Sequence, residues 1–71
     1  MIVSSFTKPE LNILRENCNF VGDEITVFEL RSVGVPLAEI AEQLSYIHSG
    51  IKNVSRKVNS KIERVLSIYN K

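Results

Sequence analysis

Apolar residues recur every three or four positions through most of this chain, and the clearest run is the last. Ile51, Val54, Val58, Ile62, Val65 and Tyr69 share one side of a helix that starts near His48. At about 100° per residue they all lie within roughly 60° of Ile51's direction. Ser49, Lys52, Asn53, Arg56, Lys57, Ser60 and Arg64 take the other side, and no Gly or Pro interrupts the run before Lys71. Upstream, Leu37, Ile40, Ala41 and Leu44 form a shorter stripe, a helix over about 36–44 with Pro36 in its first turn. Ile25, Val27, Phe28, Leu30 and Val33 give a broad apolar face to another helix. Asp23 is its expected N-cap, Glu24 stands near the positive end of its dipole, and Gly34 lies just past its end. The first helix carries Leu11, Leu14 and Cys18, flanked by Ile13, and runs to about Asn17. Thr7-Lys8-Pro9-Glu10 reads as its capping box, in which hydroxyl and carboxylate each satisfy a free amide. No segment alternates with a period of two, so the expected fold class is all-α.

Composition narrows this further. With 71 residues and 44% apolar content, residues 1–71 make one ordered domain close to the lower size limit for an unstapled core. Cys18 is the only cysteine, so no intrachain disulfide forms. The opening MIVSSFTK has the pattern of neither a signal peptide nor an anchor, and a cytoplasmic location without membrane contact is expected. The net charge of +1 conceals a strong asymmetry. Residues 1–47 hold three basic and seven acidic side chains, a charge of −4; residues 48–71 hold six basic side chains and Glu63, a charge of +5. A basic last helix either faces an anionic partner or is simply solvated.

The join between the last two helices favours a partner. A short support helix, a tight turn and a second helix at a steep angle constitute a helix-turn-helix. Ala41 supplies the small residue needed where the two helices approach, and Ile51 and Val54 pin the second helix to the core. The expectation is a compact four-helix helix-turn-helix domain whose long C-terminal helix serves recognition and dimerisation. Its outward face can enter the major groove of double-stranded DNA. Lys52, Arg56, Lys57 and Lys61, with Arg64 beyond them, offer cations to phosphates. Asn53 and Arg56 are the candidate base readers, because an amide bonds adenine bidentately and a guanidinium bonds guanine in the same way. Ser49, at the leading end, can donate to a phosphate or a base.

The stretch from Asp23 to Ile62 resembles the LuxR/GerE-type helix-turn-helix and, more distantly, the fourth region of sigma factors. The residues that carry the resemblance are Glu39-Ile40-Ala41, Leu44, Tyr46, Ile51-Lys52, Val58 and Lys61-Ile62, with Glu24, Val27, Leu30 and Gly34 upstream. It also resembles small helix-turn-helix proteins of phage and mobile-element regions. The resemblance implies sequence-specific DNA binding by a bacterial or phage transcription regulator, with RNA polymerase or a sigma factor as a further partner. Three positions depart from the family pattern: Ile47 stands in place of Ser, Gly50 in place of Thr, and Val54 in place of His.

The remaining chemistry is sparse. His48 is the only histidine and has no acid or cysteine at ligand spacing, Glu39 and Glu42 have no nucleophile arranged near them, and there is no glycine-rich phosphate loop. No enzyme activity, metal or cofactor is expected. Val65, Leu66, Ile68 and Tyr69 exceed what a three-helix core requires. Either the first helix folds back over them or they form a homodimer interface, and the homodimer is the expected arrangement. Two other functions compete with a transcription regulator: a helical adaptor docking on a transcription component, and a small terminase-like subunit for DNA packaging.

Overall fold

The structure, a computed structural model, describes residues 3–69. Four α-helices follow a short 3₁₀ turn at Val3–Ser5: α1 (Lys8–Asn17), α2 (Asp23–Ser32), α3 (Leu37–Leu44) and α4 (His48–Tyr69). No strand occurs among the described residues, which makes this a small all-α domain. No described helix is long and apolar enough to cross a membrane.

Local signals account for most of the helix boundaries. The Thr7 hydroxyl accepts from the Glu10 N–H at 3.4 Å and the Glu10 carboxylate accepts from the Thr7 N–H at 2.7 Å, completing the capping box. At the end of α2, Gly34 has φ +89°. Its N–H donates to the Arg31 carbonyl and that of Val35 to the Leu30 carbonyl, which reverses the chain in a Schellman turn. The start of α2 differs from expectation. Gly22, not Asp23, precedes the first helical residue, and no side chain caps the helix amides; the Glu24 carboxylate instead accepts from the Val21 N–H at 3.1 Å and braces the loop before the helix. Asp23, the first helical residue, serves another element instead. Pro36 likewise sits just before α3 rather than within it.

The 22 residues of α4 span about 33 Å at 1.5 Å per residue, nearly the 37 Å length of the molecule. The other three helices pack along it. Val27 and Phe28 of α2, Ile40 and Ala41 of α3, Leu14 of α1, and Ile51, Val58, Ile62 and Val65 of α4 form the core, joined by Val3 of the 3₁₀ turn and Cys18. Burial raises the Cys18 thiol pKa above its ordinary value, in keeping with a packing role. Phe20 stacks on Phe28 with ring centroids 4.8 Å apart. Two residues of the expected apolar stripes lie outside the core. Val33 is 76% exposed because α2 ends there, and Tyr69, in the last turn of α4 at the rim of a hollow lined by α1, is 57% exposed.

Candidate nucleic-acid interface

The turn between α3 and α4 consists of Ser45, Tyr46 and Ile47. Ser45 takes the left-handed conformation, with φ 61° and ψ 35°, and the Tyr46 N–H donates to the Ala41 carbonyl at 2.9 Å. This closes α3 within a single residue and sends the chain off in a new direction. Ile40 and Ile51 are both fully buried on either side of the turn, and Ala41 is buried where α3 meets α4. The Tyr46 hydroxyl donates to the Asp23 carboxylate at the start of α2. That hydrogen bond, with the negative charge beside it, raises the tyrosine pKa above its ordinary value. The ring also explains Gly50, since a Cβ there would approach Tyr46 Cδ1 to 3.2 Å.

With its apolar side anchored, α4 presents Ser49, Lys52, Asn53, Arg56 and Lys57 to solvent. None of the side chains of Lys52, Asn53, Arg56 and Lys57 has a hydrogen bond or ion pair with another described residue. They project from two successive turns in the N-terminal half of the helix. Beyond them, exposed Glu63 on the same side ends the purely cationic stretch, although Arg64 is exposed as well. The surface is therefore a short, open, positively charged ridge with an amide in its middle.

Lys61 does not belong to that ridge, although the sequence places it among the DNA contacts. Its ammonium turns inward, donating to the Glu24 carboxylate and, at 3.1 Å, to the Asn19 carbonyl. The pair clamps the α1–α2 connection onto α4. The hydrogen bond from Lys61 holds the Glu24 carboxyl below its ordinary pKa, while burial acts in the opposite direction. The cause of this arrangement is long-range. Glu24 is buried on α2, and a buried carboxylate requires a cation. Nothing in the local spacing around Lys61 announces it.

Sequence reasoning also missed a polar contact between α2 and α4. The Arg31 guanidinium donates to Ser55 Oγ at 2.7 Å and to Asn59 Oδ1 at 3.3 Å, and Ser55 is buried. A serine within an apolar stripe was the available signal. Arg31 is thus occupied on the flank of α4 next to Lys52 and Arg56, since Ser55 and Asn59 each follow one of these cations by three residues. At the outer edge of α2, Glu29 pairs with Arg15 at 2.6 Å, and that hydrogen bond raises the guanidinium pKa.

The expected dimer residues divide into two groups. Val65 is buried inside its own chain, and Leu66 is half-buried. Leu14 and Ile13 of α1 line a small surface hollow together with Val65, Leu66 and Tyr69, so α1 folds back over this part of α4. Val65 is therefore a core residue and not an interface residue. Ile68 and Tyr69 remain open, at 63% and 57% exposure. No three His, Cys, Asp or Glu side chains group to hold a metal among the described residues.

No protein-family model, curated protein or solved structure matches the chain. The functional reading consequently rests on the residues and geometry of the turn and of α4.

Proposed function

We propose that this chain binds double-stranded DNA, laying the N-terminal half of α4 in the major groove with α3 as its support, and that it acts as a transcription regulator. The observation that carries this reading is the combination at α4: Ile51 buried against the support helix, and Lys52, Asn53, Arg56 and Lys57 exposed on the opposite side with no side-chain hydrogen bond or ion pair. Phosphates take Lys52 and Lys57 and supply affinity independent of sequence. Asn53 and Arg56 supply base recognition through bidentate hydrogen bonds. Ser49 stands one residue into the helix, positioned to donate to the backbone. The partly apolar end of the molecule, with Ile68 and Tyr69 open beside Leu66 and Ile13, supports a homodimer that brings two such helices to one duplex.

Duplex binding measured by fluorescence anisotropy across a salt series tests this. Two phosphate contacts from each chain of the homodimer, four in all, give a slope of about −3.6 for log affinity against log salt. No binding to any duplex, or an affinity indifferent to salt, overturns the reading. A protein-binding adaptor behaves in the first way and binds no duplex, whereas a packaging subunit binds duplex DNA but assembles as a ring.

A further inference from the structure

The residue at the leading end of α4 is apolar and open to water: Ile47 is 74% exposed. Its carbonyl accepts from the Ile51 N–H at 3.1 Å, so it occupies the cap position of the helix. A hydroxyl or amide side chain at such a position stabilises a helix by about 1 kcal/mol relative to an apolar one. Isoleucine offers no acceptor to the first-turn amides. The chain forgoes a local gain and holds an aliphatic group in solvent at the point where the proposed interface begins.

The direction in which Ile47 leans is defined by Gly50. A Cβ built on that glycine would lie 3.5 Å from Ile47 Cγ1. Gly50, Asn53 and Lys57 succeed one another at spacings of three and four along one ridge of α4. Ile47 therefore heads the row that contains the amide suited to adenine, and the bare glycine leaves its flank uncovered.

We propose that Ile47 is a specificity-determining contact that reads the C5-methyl group of a thymine in the major groove, near the base read by Asn53. The inference rests on the DNA-binding reading and deepens it by naming the substrate class, a duplex with A·T pairs under the start of α4. Of the four bases, thymine alone presents a methyl group to the major groove. Contact between that methyl and an exposed aliphatic side chain removes both from water. Six residues separate Ile47 from Asn53, about 9 Å along a helix, and this spans two to three base-pair steps at about 3.4 Å each.

The experiment uses the full chain and duplexes it selects from a random pool, each remade with uracil in place of thymine at one position at a time. Uracil keeps the pairing and removes only the methyl group. At one thymine of the bound site, the substitution weakens the wild-type chain about three- to fivefold, the effect of one buried methyl, and leaves Ile47→Ala unaffected. Ile47→Val, which retains a branched aliphatic group, keeps most of the wild-type penalty, and circular dichroism verifies that both variants fold. If no uracil substitution weakens the wild type, or if Ile47→Ala suffers an equal penalty, the inference is overturned while duplex binding stands. If the wild type selects no duplex, the DNA-binding reading itself falls and the inference goes with it.

Discussion

The Tyr46 hydroxyl donates to the Asp23 carboxylate, tying the turn between α3 and α4 to the first turn of α2. This bond crosses 23 residues of sequence and fixes the ring that lies against Gly50. It acts at α4's leading end alongside the buried pair Ile40 and Ile51.

The bond makes stability depend on alkaline pH. Asp23 raises the Tyr46 pKa above the ordinary 10.0, so the folded chain holds this proton more tightly than the unfolded chain. The stabilisation is whole below pH 10 and is lost as the pH rises through the folded value. In urea unfolding at pH 8 and pH 10.5, the advantage of wild type over Tyr46→Phe shrinks at the higher pH. An advantage unchanged with pH contradicts the assignment.

Gly50→Ala tests the space beneath the ring. Alanine in place of glycine within a helix stabilises by about 1 kcal/mol where there is room. Here the new methyl meets Tyr46 Cδ1 at 3.2 Å, so the gain is cut to about zero or reversed. In a Tyr46→Ala background the gain returns in full. A double-mutant cycle measures the difference as a coupling of about 1 kcal/mol.

Lys61 and Lys57 are about one helical turn apart and have opposite tasks. Lys61→Met strands the buried Glu24 carboxylate. With the Lys61 and Glu24 side chains still 25% and 11% exposed, the cost is about 2 kcal/mol, below the range of fully buried pairs. The salt slope of DNA binding does not change. Lys57→Ala leaves unfolding within about 0.5 kcal/mol of wild type and lowers the magnitude of the slope by about 0.9 for each chain on the duplex. The Lys61 contribution is whole above the ordinary carboxylate pKa of 4.5 and fades as the pH falls through the lowered folded value.

Arg56 distinguishes positioning from reading. If its guanidinium holds guanine, Arg56→Ala costs about 1–3 kcal/mol on preferred duplexes and relaxes the preference at one position in a selected pool. A uniform loss over all sequences assigns it to phosphate.

The far end of α4 separates core from surface. Val65→Ala removes two buried carbons beneath α1 and destabilises by about 2 kcal/mol. Ile68→Ser leaves unfolding of the single chain nearly unchanged. Sedimentation decides whether Ile68 holds two copies together: wild type at about twice 8.0 kDa, and Ile68→Ser at half that. A wild-type monomer at micromolar concentration excludes the dimer.

Much of the fold was legible in the sequence, for a physical reason. The Thr7–Glu10 box, Gly34 after α2 and the Ile51-to-Val65 stripe act over four residues or fewer, the reach of a single helical turn, and the structure forms its helices at those signals. The exposed set Ser49, Lys52, Asn53, Arg56 and Lys57 follows from the same periodicity, since whatever opposes a buried stripe faces water.

Tertiary structure alone decided the inward turn of Lys61, the burial of Ser55 against Arg31, the burial of Glu24 and the covering of Val65 by α1. Each depends on a partner between 24 and about 50 residues away in the chain. A side chain's helical angle gives the direction in which it leaves its own helix. Which neighbouring helix meets it there, and with what charge, is settled only when the four helices pack and every buried polar group must find its counterpart.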